Sequence, residues 1–172
     1  GTKVFDWIVP KEWNINDGYI KHESGKKYAN FKKNNLHVVG YSIPINIKID
    51  KKDLVKNIYT IKKKPNLIPY VTSYYEKRWG FCMSEKQKKL LPDGKYLAYI
   101  NSTLKNGEMN LCELIIKGSL KKEIFFSSYI CHPSMANNEL SGPVVLNAII
   151  KYVKKLKKPK YTYRFVMLPE TI

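Results

Sequence analysis

The chain has 172 residues, of which 44% are hydrophobic and 13% aromatic, so it can build a folded core and is not a disordered tail. No apolar stretch approaches the roughly 18 residues that a membrane span needs, and no signal peptide is visible. The formal net charge of +17 would suit nucleic acid, but only Arg78 and Arg164 among the 31 basic residues are arginine, the residue suited to bidentate phosphate recognition. We therefore expect no membrane partner, and the composition does not favour nucleic acid as a partner.

The first part of the chain, about 1–111, consists of short alternating segments separated by turn residues, which is typical of strands. Apolar and polar residues alternate in 37–49 and again in 95–104, and a Pro-Asp-Gly turn signal precedes the second of these segments. A helix-like stretch covers 53–61. The pattern predicts a β-rich domain with little helix.

The order of elements changes near Cys112. Two strand-like segments, CELIIKG and EIFFSSY, are followed by a loop, a helical pattern over 142–157 and a nearly continuous apolar strand over 161–168. A strand–helix–strand unit of this kind predicts a right-handed crossover in a largely parallel sheet. We therefore expect a second domain, of α/β type, over 112–172.

The loop within Ser127–Gly142 gathers a cysteine, a histidine, two asparagines and a glutamate between a strand and a helix. Ser141 is a suitable N-cap for the helix, and Pro143 fits its first turn because the missing N–H would be unpaired there. His132 and Glu139 would then lie in a loop at the carboxyl end of a strand, where open α/β sheets place their ligands.

Glu170 follows the last strand and could face His132 and Glu139 from the neighbouring strand end. A histidine with two carboxylates is a ligand set suited to zinc. The chemistry would be metal-assisted hydrolysis, in which the metal lowers the pKa of a bound water and a carboxylate removes its proton. Spacing alone favours plainer alternatives, in which His132 caps a turn beside Pro133 and Glu170 is a solvated strand end.

The three cysteines are odd in number and show no CxxC spacing, so we expect reduced thiols in a cytoplasmic protein. Cys131 stands next to His132, and an imidazole can lower the pKa of a thiol and make it a nucleophile. Neighbouring residues on an extended segment point to opposite sides, however, which favours packing as the role of Cys131. Ser127 and Ser128 lack a G-x-S-x-G elbow, so a serine hydrolase is not favoured.

The aromatic residues of the first domain have two interpretations. Trp7, Trp13, Trp79 and the pair 74–75 are expected to form its core, with an aromatic wall for a substrate as the alternative. His37 lies in an alternating segment and is expected to be a packed or surface histidine.

Five segments, in this order and with this spacing, resemble a bacterial aminopeptidase-like family that is often associated with surface-polysaccharide gene clusters: VFDWIVPKEWNINDGYI, NLHVVGYSIPI, IPYVTSYYEKRWGFCMS, YICHPSMANNELSGPVV and YRFVMLPETI. The family has a zinc-exopeptidase core with an inserted β-rich domain of unknown function. The resemblance implies an α/β fold, with a partial, mostly parallel sheet of zinc-exopeptidase type in 112–172 and a β-rich (α+β) insert in 1–111. It also implies that the chain is an internal fragment of a longer protein.

The resemblance assigns roles residue by residue. His132 resembles the first metal-binding histidine of the family, and Glu170 resembles an acidic residue that serves as general base or metal ligand. Many relatives read Ala-Asn-Asp-Asn where this chain has Asn138 at the position of the bridging aspartate and Glu139 one residue later. The implied cofactor is zinc, held by His132, Glu139 and Glu170, with further ligands expected beyond Ile172.

The implied activity is hydrolysis of an amide bond in a peptide or amide-bearing small substrate by metal-activated water, with Glu170 as the catalytic base or ligand. The missing ligands imply that the fragment itself is inactive. The alternative is a catalytically silent protein that serves as a binding or assembly module in surface-polysaccharide biosynthesis. Asn138 favours this alternative, whereas His132 and Glu139 argue against it.

Overall fold

Strands account for most of the regular structure in the computed structural model, which describes residues 1–132 and 135–169. The contacts divide the chain into two units, Gly1–Gly107 and Glu108–Ile172, and each is described by itself. The elements of the first unit are β1 (Lys3–Val4), β2 (Trp7–Ile8), β3 (Glu12–His22), β4 (Lys27–Tyr28), β5 (Ile45–Asp50), α1 (Lys51–Leu54), β6 (Ile58–Tyr59), β7 (Phe81–Cys82), α2 (Glu85–Lys89) and β8 (Lys95–Lys105). Those of the second are β9 (Cys112–Ile116), β10 (Glu123–Tyr129), α3 (Ala136–Val153) and β11 (Thr162–Leu168).

A four-stranded antiparallel sheet forms the centre of the first unit, in the order β4-β3-β8-β5. The alternation along β8 places Tyr96, Ala98, Ile100 and Ser102 on one buried face, as a strand with one face toward the core requires. Tyr96, Ala98 and Ile100 pack with Ile20 of β3 and with apolar side chains from the rest of the unit. The β-rich character predicted for this part of the chain is confirmed.

Two segments of the first unit are shorter in the structure than the sequence predicted. The strand expected over 37–49 begins only at Ile45, and before it the chain makes a 3₁₀ turn, Asn35–His37, and isolated bridges from Val38 and Gly40. The helix expected over 53–61 is the single turn α1 followed by a 3₁₀ turn, because Ile58 and Tyr59 pair with β7 as a parallel ladder.

The aromatic residues expected in the core of the first unit divide into two groups. Trp13 and Trp79 are partly buried against the core, and the Trp13 indole N–H donates a 2.9 Å hydrogen bond to the carbonyl of Ser42. Tyr74 and Tyr75, by contrast, remain 38% and 65% exposed, so their assignment to the core was wrong. The hydroxyl of Tyr75 donates to a backbone carbonyl instead, which suits an amphipathic ring at a surface.

The second unit contains a three-stranded sheet in the order β10-β11-β9. β10 and β11 are parallel, and α3 connects them, as the strand–helix–strand pattern predicted. β9 pairs with β11 in the antiparallel direction, so the described sheet contains parallel and antiparallel pairs and is not largely parallel as predicted. The connection 117–122 between β9 and β10 is too short for the crossover that two parallel strands need, so the two strands run in opposite directions.

Helix α3 begins earlier than predicted and covers the sheet of the second unit. It runs from Ala136 to Val153, so Ser141 is not its N-cap and Pro143 lies inside it. Leu146 and Val153 of α3 pack with Phe165 of β11, and an aromatic stack of Phe126, Tyr163 and Phe165 extends this core. Gly142 allows the helix to approach β10, since a Cβ there would lie 2.3 Å from the Ser128 hydroxyl.

Candidate metal centre

The chain leaves the sheet of the second unit at the carboxyl end of β10. Strand β10 ends at Tyr129, and the N–H of Ile130 continues the pairing by donating to the carbonyl of Leu168. Cys131 and His132 follow directly. They therefore stand at the strand end where the sequence placed a ligand site, and where open α/β sheets bind their ligands.

Glu139 reaches the same place from the other side, because α3 starts close to the strand end. It was expected in the loop, but it lies in the first turn of α3, and its N–H donates to the carbonyl of Met135. Its side chain is only 6% exposed. A carboxylate in the first turn of a helix is favoured by the unpaired N–H groups and the helix dipole.

Cys131, His132 and Glu139 form one cluster of possible ligand atoms. The sulfur of Cys131, an imidazole nitrogen of His132 and a carboxylate oxygen of Glu139 all lie within 4.8 Å of one another. The N–H of Cys131 donates a 2.6 Å hydrogen bond to Oε2 of Glu139, and its Sγ lies 3.8 Å from Oε1. The structure thus brings together His132 and Glu139, as the sequence predicted.

Cys131 is the member of the cluster that sequence reasoning assigned to packing. That reasoning treated 131–132 as part of an extended strand, but β10 has already ended at Tyr129. Without the alternation of a strand, neighbouring side chains can turn toward the same point. The signal that could have identified Cys131 is its position, together with His132, a few residues before an acidic residue in the first turn of α3.

Asn138 and Glu139 occupy different environments although they are neighbours. Asn138 is exposed, whereas Glu139 is buried beside Cys131. The carboxylate of this cluster therefore comes from Glu139, and residue 138 does not face it. Glu170, the third predicted ligand, lies outside the described residues, as does Pro133.

The chemistry of the cluster suits zinc. Thiolate sulfur, imidazole nitrogen and carboxylate oxygen are the three protein donors that zinc accepts, with bonds of about 2.0–2.3 Å and donors therefore roughly 3.3–3.8 Å apart in a tetrahedral site. The separation of at most 4.8 Å in the structure is slightly wider than this. A small inward movement of the side chains would bring three donors around one ion, which is the number that catalytic zinc sites use.

The other two histidines and the most buried cysteine belong to the core of the first unit. His37 is buried, and its Nδ1 lies 2.7 Å from the carbonyl of Cys82, so it is a packed histidine as expected. Burial raises the pKa of the Cys82 thiol to about 12, which makes it a poor nucleophile at neutral pH. His22 is buried as well, and its ring nitrogens form hydrogen bonds with the Ser24 hydroxyl and the carbonyl of Asp93.

The described residues contain neither a membrane-spanning helix nor a disulfide. No helix among residues 1–132 and 135–169 is long and apolar enough to cross a membrane. No disulfide links the three cysteines, all of which lie in these ranges.

Comparisons with known proteins relate the chain to peptidase-like proteins. It is 45% identical over its whole length to a Clostridium acetobutylicum protein named "Putative polysaccharide biosynthesis protein with aminopeptidase-like domain", and covers 39% of that relative. A crystal structure of a protein described as a "putative peptidase" from the same organism is 44% identical, with a TM-score of 0.92 over 98% of this chain and 40% of that protein. The chain therefore spans about two fifths of the length of these relatives.

The family assignment rests on the first unit. Residues 12–103, from the start of β3 almost to the end of β8, match the model of a domain of unknown function, DUF2172. This match covers more than half of the chain. The chain therefore belongs to the DUF2172 family.

Proposed function

We propose that this chain is part of a zinc-dependent aminopeptidase-like hydrolase and contributes the first residues of its metal site. The observation that carries this proposal is the cluster of Cys131, His132 and Glu139 at the carboxyl end of β10. The names of the two relatives, one aminopeptidase-like and one a peptidase, support the same class of activity.

The proposal assigns each of the two parts of the chain to a different domain. Residues 112–172 would be the first part of a zinc-peptidase core, in which the parallel pair β10–β11 belongs to a larger and mostly parallel sheet. Residues 1–111 would be the inserted β-rich domain. The match of 12–103 to a separate domain family supports this division.

The chain's own residues would act by holding the ion and by positioning a proton acceptor. His132 and Glu139 would be ligands, and the Cys131 N–H fixes the Glu139 carboxylate through its 2.6 Å hydrogen bond. Zinc supplies a lowered pKa for a water that it binds and polarises a carbonyl oxygen. In this proposal Glu170 accepts the proton from the attacking water or serves as a further ligand, and the substrate is a peptide or an amide-bearing small molecule.

The experiment is metal analysis of the full-length protein together with a panel of aminoacyl amides. We expect stoichiometric zinc and release of the amine, with both lost in His132→Ala. Glu108→Gln is a matched control, because Glu108 is an exposed acidic residue of the same unit. A protein without zinc and without turnover would contradict the proposal.

A second candidate is a catalytically silent module in polysaccharide biosynthesis. The relative's name links that protein to polysaccharide biosynthesis, and Asn138 stands where the family resemblance implies a charged ligand. This candidate predicts that the full-length protein neither holds zinc nor hydrolyses any amide, and that His132→Ala changes nothing. The cluster that Glu139 forms with Cys131 and His132 favours the enzyme, since three side chains of the kinds that bind zinc converge there.

A further inference from the structure

Cys131 has a place in the cluster that neither the family resemblance nor the proposed mechanism gives it. The resemblance assigns ligand roles to a histidine and to acidic residues, and the mechanism uses only the backbone N–H of Cys131. Its sulfur, however, belongs to the same group of ligand atoms as His132 and Glu139, all within 4.8 Å. We propose that the Cys131 thiolate is itself a metal ligand, so that one ion is held by sulfur, nitrogen and oxygen from Cys131, His132 and Glu139.

This inference rests on the proposed metal site and extends it by one ligand. Two contacts to one carboxylate carry the argument. The N–H of Cys131 bonds Oε2 of Glu139 at 2.6 Å, which fixes the backbone of Cys131 beside the carboxylate. The side chain then turns the same way, because Sγ lies 3.8 Å from Oε1. Both ends of Cys131 therefore face the carboxylate, whereas a packing cysteine would direct its sulfur into apolar side chains.

A sulfur ligand has a consequence that distinguishes this site from one made of histidine and carboxylates. Thiolate is a soft ligand that favours zinc, whereas carboxylate and water oxygens also suit magnesium and manganese. The ion bound in the presence of excess magnesium should therefore still be zinc. The sulfur also offers a spectroscopic signal that activity measurements do not give.

The first measurement needs no variant. X-ray absorption at the zinc edge of the full-length protein should show a sulfur neighbour at about 2.3 Å beside nitrogen and oxygen neighbours at about 2.0–2.2 Å. A first shell of nitrogen and oxygen alone would overturn the inference. Because the wild-type protein is used, the result does not depend on how a substituted protein folds.

The second measurement uses cobalt in place of zinc. The cobalt-loaded wild type should show a near-ultraviolet charge-transfer band from thiolate to cobalt. Cys131→Ser should abolish this band and weaken metal binding at least about 10–100-fold, the cost known for losing even an outer partner of a ligand. Cys112→Ser is the matched control, because Cys112 is an exposed cysteine of the same unit, and it should keep the band.

The outcomes separate this inference from the proposed function. Metal that binds in a His132-dependent way without the band would overturn the sulfur ligand and leave the zinc proposal intact. A band that depends on Cys131 in a protein that hydrolyses no amide would support the sulfur ligand and count against the hydrolase. A wild type that binds neither zinc nor cobalt would overturn both.

Discussion

At the scale of single residues, the structure shows that the carboxylate in the cluster comes from position 139 and not from position 138. Glu139 is buried and accepts a 2.6 Å hydrogen bond from the Cys131 N–H, whereas Asn138 is exposed. A carboxamide at 139 would keep the shape of the side chain and one acceptor for that N–H, but would lose the charge that zinc prefers. On the proposed function, zinc binding depends on the charge of Glu139 and not on the identity of residue 138.

The first prediction follows from this difference. Glu139→Gln in the full-length protein should weaken zinc binding at least about 10–100-fold, while Asn138→Asp should preserve or raise it. The measurement is the zinc content of each protein after dialysis, with a thermal unfolding curve to show that both remain folded. Equal zinc in wild type and Glu139→Gln would show that Glu139 only stabilises the start of α3.

The position of a residue could be predicted from the sequence only where neighbouring residues determine it. The closeness of His132 and Glu139 could be predicted from the sequence, because both lie near one strand-to-helix connection. The direction of the Cys131 side chain could not, since it depends on where β10 ends. The exposure of Tyr74 and Tyr75 could not be predicted from the sequence either. An aromatic residue suggests a buried position whether or not other side chains cover it in the fold.

At the scale of elements, Arg164 connects all three strands of the second unit. From β11 it pairs with Glu113 of β9 and with Glu123 of β10, the latter through hydrogen bonds of 2.7 and 3.0 Å. The hydrogen bonds from Arg164 hold the pKa of Glu123 below its usual value. The pKa of Glu123 is then lower in the folded than in the unfolded state, so the unfolded chain binds more protons and stability rises with pH.

The second prediction concerns this pH dependence. The stabilisation from the pair is complete above the unfolded glutamate pKa of about 4.3 and is lost as the pH falls through the lower folded value. Arg164→Gln should therefore lower the melting temperature at pH 7, and the difference from wild type should shrink at about pH 3. Melting curves of both proteins at the two pH values test this, and a difference that stays constant would contradict it. The effect should also weaken in high salt, because the pair is partly exposed.

The third prediction concerns the contact between α3 and β10. Gly142→Ala adds a Cβ that would lie 2.3 Å from the Ser128 hydroxyl. Alanine favours a helix by about 1 kcal/mol over glycine, but overpacking costs about 1–3 kcal/mol, so we expect a net loss of stability. Chemical unfolding measures the loss, and adding Ser128→Ala should recover part of it by removing the hydroxyl. A gain in stability from Gly142→Ala alone would contradict this prediction and show that the Ser128 hydroxyl rotates away at little cost.

Elements could be predicted from the sequence where one pattern ran without interruption. The strand at 95–104 and the order strand, helix, strand in the second unit were correct because alternation and helical spacing were sustained there. The start of α3 was misplaced because Ser141, Gly142 and Pro143 imitate a helix start. The antiparallel direction of β9 follows from the shortness of a connection rather than from any residue.

At the scale of the whole molecule, the first unit has a core of its own. Ile20, Tyr96 and Ile100 lie in one cluster of buried residues, and all the strands of the four-stranded sheet come from this unit. The fourth prediction is that residues 1–111, produced alone, unfold cooperatively with a strand-rich circular dichroism spectrum. A sample that gives a broad, non-cooperative transition would show that this part does not fold without the rest of the chain.

This chain corresponds to only part of each relative, so its own residues can supply only part of a relative's active site. The chain spans 39% of the C. acetobutylicum relative, and the described residues bring together three possible ligand atoms, from Cys131, His132 and Glu139. Motifs spread over the whole chain indicated a relation to aminopeptidase-like proteins, and the names of the relatives agree with that relation. The mixed direction of the strands in the second unit was missed, because the short connection 117–122 that sets it shows only once the ends of β9 and β10 are known.

The central claim is that His132 and Glu139 hold a zinc ion that serves amide hydrolysis. The most direct test is zinc content and turnover of an aminoacyl amide, measured on the same samples of the full-length wild type, His132→Ala and Glu108→Gln. The account predicts stoichiometric zinc and amine release in the wild type and in Glu108→Gln, and the loss of both in His132→Ala. Zinc retained by His132→Ala, or a wild type that holds no zinc and releases no amine, would contradict the claim.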